Sequence, residues 1–390
     1  LNSLRKHIHG DIVIWMIVLF LSLVSLISVY SAAGSLAFRF KGGNAEYYLI
    51  NRAIMLAAGL LAMYATHRIN YVRFSKLSVL GLFLVIPLLF FTLFLGSNVN
   101  DASRWLHIPG TGISFQTSDL AKLTLLLYLA RGLSRKREVI KDLKRGFLPL
   151  AIPLVLVCLL ILPANFSTAA LLFFTSTLLL YIGGVYWKHL AGLYGLAVVG
   201  FILLIGLAFT APKILPRLET WKNRIENFLD KKPEDAYQVE QAKMSIAQGW
   251  PLGTGPGNNR SKYRLPQSFS DFIFAFIIGE YGFFFGLGGL ILLAYLALFY
   301  RIIRIAGKTD KAFAMFACLG LGLSLVLQAF INMCVAVNIL PVTGQPLPWV
   351  SMGGTSTVFT GITLGIIVSI SRTTESAETS TAEEGLDQHE

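Results

Sequence analysis

Residues 253–276 read Gly253-Thr-Gly-Pro-Gly-Asn-Asn-Arg-Ser-Lys-Tyr-Arg-Leu-Pro-Gln-Ser-Phe-Ser-Asp-Phe-Ile-Phe-Ala-Phe276. A glycine-rich, basic loop runs into a single carboxylate, Asp271, and the sequence then turns into what reads as one long apolar helix. The junction puts an acid at a membrane surface and at a helix N-terminus, with Arg260, Lys262 and Arg264 close by in sequence. Two plain readings account for it. Ser270 and Asp271 would cap the helix, because an acid is favoured at the positive end of a helix dipole. The three cations would meet lipid headgroups. The glycines do not decide between these and chemistry. Gly253, Gly255 and Gly257 lack the Gly-x-Gly-x-x-Gly spacing, and no Gly-Lys-Ser/Thr follows, so neither nucleotide-binding fingerprint applies.

Composition sets the class. Of 390 residues, 55% are hydrophobic and 14% charged, against roughly 25% charged in a soluble domain. Apolar runs of about 20 residues recur, each enough to cross a hydrocarbon core of roughly 30 Å. The expectation is an all-α polytopic membrane protein without a separate soluble domain. The net charge of +12 does not point to nucleic acid, because the basic residues gather in loops between the apolar runs. The first run is too long for a signal-peptide core and reads as a retained span. Cys158, Cys318 and Cys334 all fall inside apolar runs, which argues against a disulfide framework or a metal site.

Ten spans are expected, at about 12–33, 48–66, 74–95, 115–131, 147–163, 167–185, 189–210, 271–300, 311–338 and 351–371. If they alternate, Arg5, Lys6, Arg68, Arg73, Lys76, the run Arg131 to Arg145, Lys188, Arg301, Arg304, Lys308, Lys311 and Arg372 share one side. By the positive-inside rule that side is the cytoplasm, and both termini lie there. The loop 211–270, between spans seven and eight, is then extracytoplasmic. It holds ten Lys and Arg, and binding an anionic lipid head is one explanation for them. Within it, Leu218 to Phe228 and Ala236 to Gln248 read as short amphipathic surface helices, with a turn at Lys231-Lys-Pro-Glu-Asp235. The acidic, Ser/Thr-rich stretch 373–390 reads as a disordered, solvated cytoplasmic tail, leaving 1–372 as the membrane domain.

Ionisable groups inside spans are costly and point to function. Asp119 and Lys122 stand three apart and can pair on one helix face, either as a self-neutralising structural ion pair or with Lys122 also touching an anionic substrate. Arg104-Trp105 reads as an interfacial anchor or as a phosphate contact. Glu280 is nine residues past Asp271, about half a turn out of phase and roughly 13 Å along a straight helix. The two acids would not work as a close pair, and Glu280 should have a structural partner. Pro341 to Ser356, with three prolines and three glycines, is either a plain turn or an irregular re-entrant segment. At membrane depth such backbone is tolerated only when buried in protein or lining a cavity.

Four segments together resemble one family, the SEDS proteins (shape, elongation, division, sporulation), membrane peptidoglycan glycosyltransferases of the FtsW and RodA type. Ala102-Ser-Arg-Trp-Leu106 with Gln116-Thr-Ser-Asp-Leu-Ala-Lys122 resembles Gly-Ala-x-Arg-Trp and Gln-Pro-Ser-Glu-x-x-Lys. Tyr237-Gln238 through Gly257 resembles the Tyr-Gln…Gly-x-Gly segment. Leu265 to Ala275 with Gly279-Glu-Tyr-Gly282 resembles Leu-Pro…Thr-Asp-Phe-Ile-Phe-Ala…Glu-Glu-x-Gly. Leu340 to Ser356 resembles Leu-Pro-x-Thr-Gly-x-Pro-Leu-Pro-Phe-x-Ser-x-Gly-Gly-x-Ser. Thr117 and Asp119 replace the usual Pro and Glu, Ser270 replaces Thr, and Asn165 stands where many members carry Asp. Ser270-Asp-Phe-Ile-Phe274, Gly279-Glu-Tyr-Gly282 and the acidic tail are closer to the division branch, FtsW, than to the elongation branch, RodA.

The resemblance implies polymerisation of lipid II, an undecaprenyl-pyrophosphate-linked disaccharide peptide, into glycan strands on the outer membrane face. It implies Asp271 as the essential acid; Arg104, Gln116, Asp119, Lys122, Lys262, Thr343 and Ser351 are the candidate substrate-binding positions. The implied partners are a class B penicillin-binding protein transpeptidase and division-complex activators, beside membrane lipids. The chemistry agrees. Pyrophosphate leaves without protonation, so one carboxylate acting as base on the acceptor hydroxyl suffices, whereas glycosidases, which expel an alcohol, need two. Arg104, Lys122 and Lys262 are candidates to bear phosphate charge. A divalent cation, Mg²⁺ or Mn²⁺, could share that task, but no ligand cluster shows in the sequence. Other readings are a flippase or transporter for the same lipid, which would favour midplane charges in repeated halves, and a scaffold for a partner synthase.

Overall fold

The computed structural model describes residues 9–32, 34, 44–95, 97–99, 102–107, 114–210, 233–259 and 269–387. Helices α1 (Ile12–Ala32), α2 (Ala45–Arg68) and α3 (Tyr71–Leu95) come first. A small sheet follows, with strands β1 (Ser97–Val99), β2 (Ala102–His107) and β3 (Ser114–Gln116). Then come α4 (Thr117–Arg135), a π-helical turn at Leu143–Phe147, α5 (Leu148–Ile161), α6 (Phe166–Ile182) and α7 (Trp187–Thr210). The remainder is α8 (Pro233–Gly249), α9 (Ile273–Tyr281), α10 (Leu287–Lys308), α11 (Ala312–Ala336) and α12 (Ser356–Asp387). Among the described residues seven helices are long and apolar enough to cross a membrane, and α6 and α7 are shorter apolar helices.

Side-chain bonds fix which helix ends meet. At one end Asp11, before α1, pairs with Arg301 of α10 and accepts from Val13 N, while its own N–H donates to Ser371 Oγ of α12 (3.0 Å). There too Arg131 Nη1 donates to Ser75 O (2.6 Å), joining α4 to α3. At the other end Ser31 Oγ of α1 donates to Glu280 Oε1 of α9 (2.6 Å), and Gln345 Nε2 donates to Thr168 Oγ1 of α6 (2.7 Å). The first end carries the basic loops; the second carries the residues singled out from the sequence.

Four expectations change. The fold is not purely helical: β1, β2 and β3 pair antiparallel in that order, with Trp105 opposite Gln116. The segment is too polar and too short to span, and strand pairing satisfies its backbone. Residues 233–235 open α8 instead of forming a turn, since Pro is pre-set for the first helical position. The expected helix at 218–228 lies outside the described residues. The backbone from Thr373 continues α12 through Asp387 where a disordered tail is expected, and the Ala and Glu of that stretch are good helix formers.

The fourth change concerns the chain after Asp271. It is not one helix: α9 stops at Tyr281, and α10 starts at Leu287. The glycine-rich loop causes the break. Thr254 N donates to Gly279 O (3.1 Å), Gly255 N to Glu280 O (2.9 Å), and Phe283 N to Pro251 O (2.9 Å). The last carbonyls of α9 are thus taken by loop amides instead of a following turn. Gly253 and Gly255 supply this approach with φ near +90°, a conformation L side chains avoid.

Helices α2 and α12 pack by small residues. A Cβ on Gly361 would fall on the Gly59 carbonyl oxygen, and one on Gly365 would lie 2.6 Å from Met63 O. Where apolar lipid removes the hydrophobic drive, such close backbone approach carries helix association. Gly361→Ala is expected to cost about 1–3 kcal/mol by overpacking, read as a lowered Tm in detergent. Gly192→Ala, in open space on α7, is the control and leaves Tm in place.

Candidate functional site

Asp271 sits in a turn, residues 269–272, just before α9, and is half-buried. It does not cap that helix: Phe272 holds the N-cap position and makes no side-chain cap bond. The Asp271 carboxylate accepts from Ser270 Oγ (3.0 Å). Its backbone is gripped from behind. Asn332 Nδ2 of α11 donates to Asp271 O and to Gln345 O, both at 2.8 Å. Ser351 Oγ donates to Ser270 O (2.7 Å), and Met352 N donates to Phe269 O (3.0 Å).

The second half of the site is the segment Pro341–Thr355, which is neither helix nor strand. Leu347, Trp349, Val350 and Ser351 are buried, so this is irregular backbone packed inside protein, as the re-entrant reading requires. Gly344 has φ +65°, and a Cβ there would stand 3.6 Å from Asp271 Oδ2. The loop therefore lies directly against the acid. Thr343, next to it, has a buried hydroxyl oxygen without a partner among the described residues. Ser351 is 2% exposed; its hydroxyl donates to Ser270 O and accepts from Leu347 N (2.7 Å). Through these two bonds Ser351 ties the loop to the turn of Asp271.

Asp119 and Lys122 form the ion pair expected from their spacing, with Nζ–Oδ1 2.7 Å and exposures of 6% and 15%. Lys122 Nζ also reaches Gln328 Oε1 (3.4 Å), and Gln328 Nε2 donates to Pro346 O (3.0 Å). The pair thus supports the loop from below through α11. A cavity of about 50 Å³ lies there, lined by Asp119, Lys122, Gln328, Pro348, Ser356 and Thr360 among others. Asp119 Oδ2 is buried and has no partner among the described residues. Gln116 precedes α4, and its Nε2 donates to Ser118 Oγ (2.8 Å).

Other expected positions lie apart or outside view. Arg104 is on β2, whose backbone alone is described there, and Lys262 lies outside the described residues. Glu280 is 1% exposed and accepts from Ser31 Oγ and from the backbone N–H of Gly257. It therefore locks the glycine-rich loop onto α9 and α1, in agreement with a structural partner for that acid. Asn165 Oδ1 caps α6 by accepting from Thr168 N (3.3 Å), the ordinary work of an Asn at that position. Among the described residues no three His, Cys, Asp or Glu gather as a metal site. Among the described residues the donor set beside Asp271 is one carboxylate with hydroxyls and carbonyls.

Sequence reasoning missed Gln328 and Asn332. They stand four apart, hence on one face of α11, and reach the successive carbonyls of Pro346 and Gln345. Two polar side chains at that spacing in an apolar span were the available signal.

The family model described as cell cycle protein (FtsW/RodA/SpoVE) matches residues 11–376. The chain belongs to this family. Among FtsW/RodA/SpoVE relatives, "Probable peptidoglycan glycosyltransferase FtsW" of Geobacter metallireducens is 30% identical over 95% of this chain and 96% of its own length. "Stage V sporulation protein E" of Bacillus subtilis is 30% identical over 94% of this chain and 98% of its own. Solved structures share the fold. One, described as "Structural coordination of polymerization and crosslinking by a peptidoglycan synthase complex", has TM-score 0.73 at 24% identity over 93% of this chain and 98% of that one. A crystal structure of the rod shape determining protein RodA from Thermus thermophilus has TM-score 0.66 at 21% identity over 93% and 97%.

In this FtsW/RodA/SpoVE chain Asp119 is buried and Lys122 half-buried, so removing the lysine strands the acid. Lys122→Met is expected to cost about 3–5 kcal/mol, whereas Asp119→Leu with Lys122→Met together costs far less. Thermal unfolding of the two single variants and the double variant checks the cycle.

Proposed function

We propose that the chain is a peptidoglycan glycosyltransferase that polymerises lipid II, with Asp271 as general base. The observation that carries this is the presentation of Asp271. One half-buried carboxylate is held in a non-helical turn, braced through its backbone by Asn332 and through Ser270 by Ser351. The names of relatives 30% identical over nearly the whole chain support the reaction class.

In the proposed step the Asp271 carboxylate takes the proton of the acceptor sugar hydroxyl. That oxygen bonds to the anomeric carbon of the donor sugar, and the bond from this carbon to the pyrophosphate oxygen breaks. The electron pair and the lipid diphosphate leave together. No second acid is needed, and Glu280 is committed elsewhere. Arg104 and Lys262 are proposed to take up phosphate charge, and Gln116 and Thr343 to line the sugar path. Lys122 is already paired with Asp119, and its proposed role is to hold the loop through Gln328.

The proposed topology has ten spans, with α9 and α10 together forming the eighth. Seven long apolar helices, the shorter α6 and α7, and the buried α4 support that number. The end rich in Lys and Arg is assigned to the cytoplasm, with both termini and the stretch after Arg372. Asp271, the sheet and the region 211–270 are then extracytoplasmic, and 1–372 forms the membrane domain. The role proposed is septal wall synthesis in cell division, alongside a class B penicillin-binding protein and division-complex activators. The kinship to FtsW and SpoVE names and the likeness to a synthase-complex structure support it.

Purified chain with its transpeptidase partner and lipid II should yield glycan polymer. Asp271→Ala and Asp271→Asn should lower that rate by at least about 10²-fold, with Tm unchanged. Undiminished polymer from Asp271→Ala would remove the base. No polymer from either protein, with labelled lipid crossing vesicles, would favour a flippase.

A further inference from the structure

Arg52, in α2, is 1% exposed. A guanidinium at that depth is costly unless its N–H groups are paired. No carboxylate among the described residues lies within ion-pair distance of it. Its partners are neutral and come from three elements. Nε donates to Ser25 Oγ of α1 (2.7 Å), Nη1 to Thr357 Oγ1 of α12 (2.9 Å), and Nη2 to Trp349 O in the loop (2.5 Å).

Trp349 is where that loop holds its least favourable backbone, at φ +66°. For a residue other than glycine this region is costly and persists only where the surroundings over-determine it. They do so here. Tyr295 OH of α10 donates to Pro348 O, Arg52 to Trp349 O, and Ser25 Oγ to Val350 O (2.7 Å). The indole Nε1 donates to Ser22 Oγ (2.7 Å), and the ring meets α2 at Gly59. Arg52 joins two of these contacts, because the Ser25 hydroxyl that accepts from it is the one that donates to Val350 O.

We propose that Arg52 is a positioning residue for Asp271, acting through the Trp349 turn. This rests on the reading of Asp271 as base. Two residues after Trp349, Ser351 donates to Ser270 O, and Asp271 follows Ser270 directly. If the Trp349 peptide leaves its left-handed conformation, Ser351 is displaced and the brace behind the acid loosens. Lysine keeps the charge but not the planar fork that serves α1, α12 and the loop at once.

Hydrogen exchange and kinetics on the purified protein with its transpeptidase partner and lipid II test this. In Arg52→Lys, residues 341–356 should lose protection about tenfold or more while α2 and α12 keep theirs. The value of kcat should fall about 10- to 100-fold with KM within about twofold, the mark of lost orientation. Ser25→Ala, should Arg52→Lys not fold, should show the same pattern at smaller size. Wild-type exchange at 341–356 in a folded variant overturns the clamp. So does a loss of protection spread evenly over the helices, with kcat falling only as the folded fraction falls. Asp271→Ala is run beside them. If it retains polymer the base reading fails, and the exchange pattern still decides whether Arg52 holds the turn.

Discussion

Six consecutive backbone carbonyls, Gln345 to Val350, lie in irregular chain within a bundle of apolar helices, and each has a hydrogen-bond donor. Asn332, Gln328, Tyr295, Arg52 and Ser25 serve residues 345, 346, 348, 349 and 350, and Leu347 O takes the N–H groups of Val350 and Ser351. An unpaired carbonyl in hydrocarbon costs several kcal/mol. The loop is therefore possible only because α1, α2, α10 and α11 each spend a polar side chain on it. That requirement explains polar residues in spans that need none for folding as helices.

The same requirement shapes the end that carries Asp271. A carboxylate proposed as a base must be reachable yet held still. A helix would hold Asp271 but lock its backbone into the ladder. A free loop would expose it but pay ordering entropy at each turnover. The observed solution is a short turn sewn to a second irregular segment through Asn332, Ser351 and the Met352–Phe269 backbone bond. The glycine-rich loop does the corresponding work at the far end of α9. Its amides take the final carbonyls of that helix, and Glu280 draws in Gly257. These glycines are thus explained by backbone contact with protein, with no phosphate needed to account for them.

Periodicity and charge were legible wherever one helix decides its own fate. The apolar runs, the Asp119–Lys122 pair at three residues' spacing, the irregularity of Pro341–Ser356 and the separation of Glu280 from Asp271 all follow from local rules. The break at Gly282 was not legible, because it depends on Thr254 and Gly255, some 25 residues earlier in sequence, occupying the carbonyls of Gly279 and Glu280. The tie that Ser351 makes between the loop and the turn of Asp271 was not legible, because its partners, Ser270 O and Leu347 N, are set by the packed loop. Arg52 carried a signal, a charge inside a span, but no acid three or four residues away told what it pairs with.

By itself the amino-acid sequence determined the class, most of the long apolar helices, the gathering of cations between them and the identity of the acid before α9. These depend on composition, repeat length and a residue's immediate neighbours. Only the tertiary structure decided that the chain after Asp271 forms two helices, that Ser351 faces inward, and that Arg52, Gln328 and Asn332 serve one loop. The physical reason is common to all three. A buried polar group is indifferent to how far along the chain its partner lies, and only the packed bundle brings residues 25, 52, 328 and 332 to the same turn.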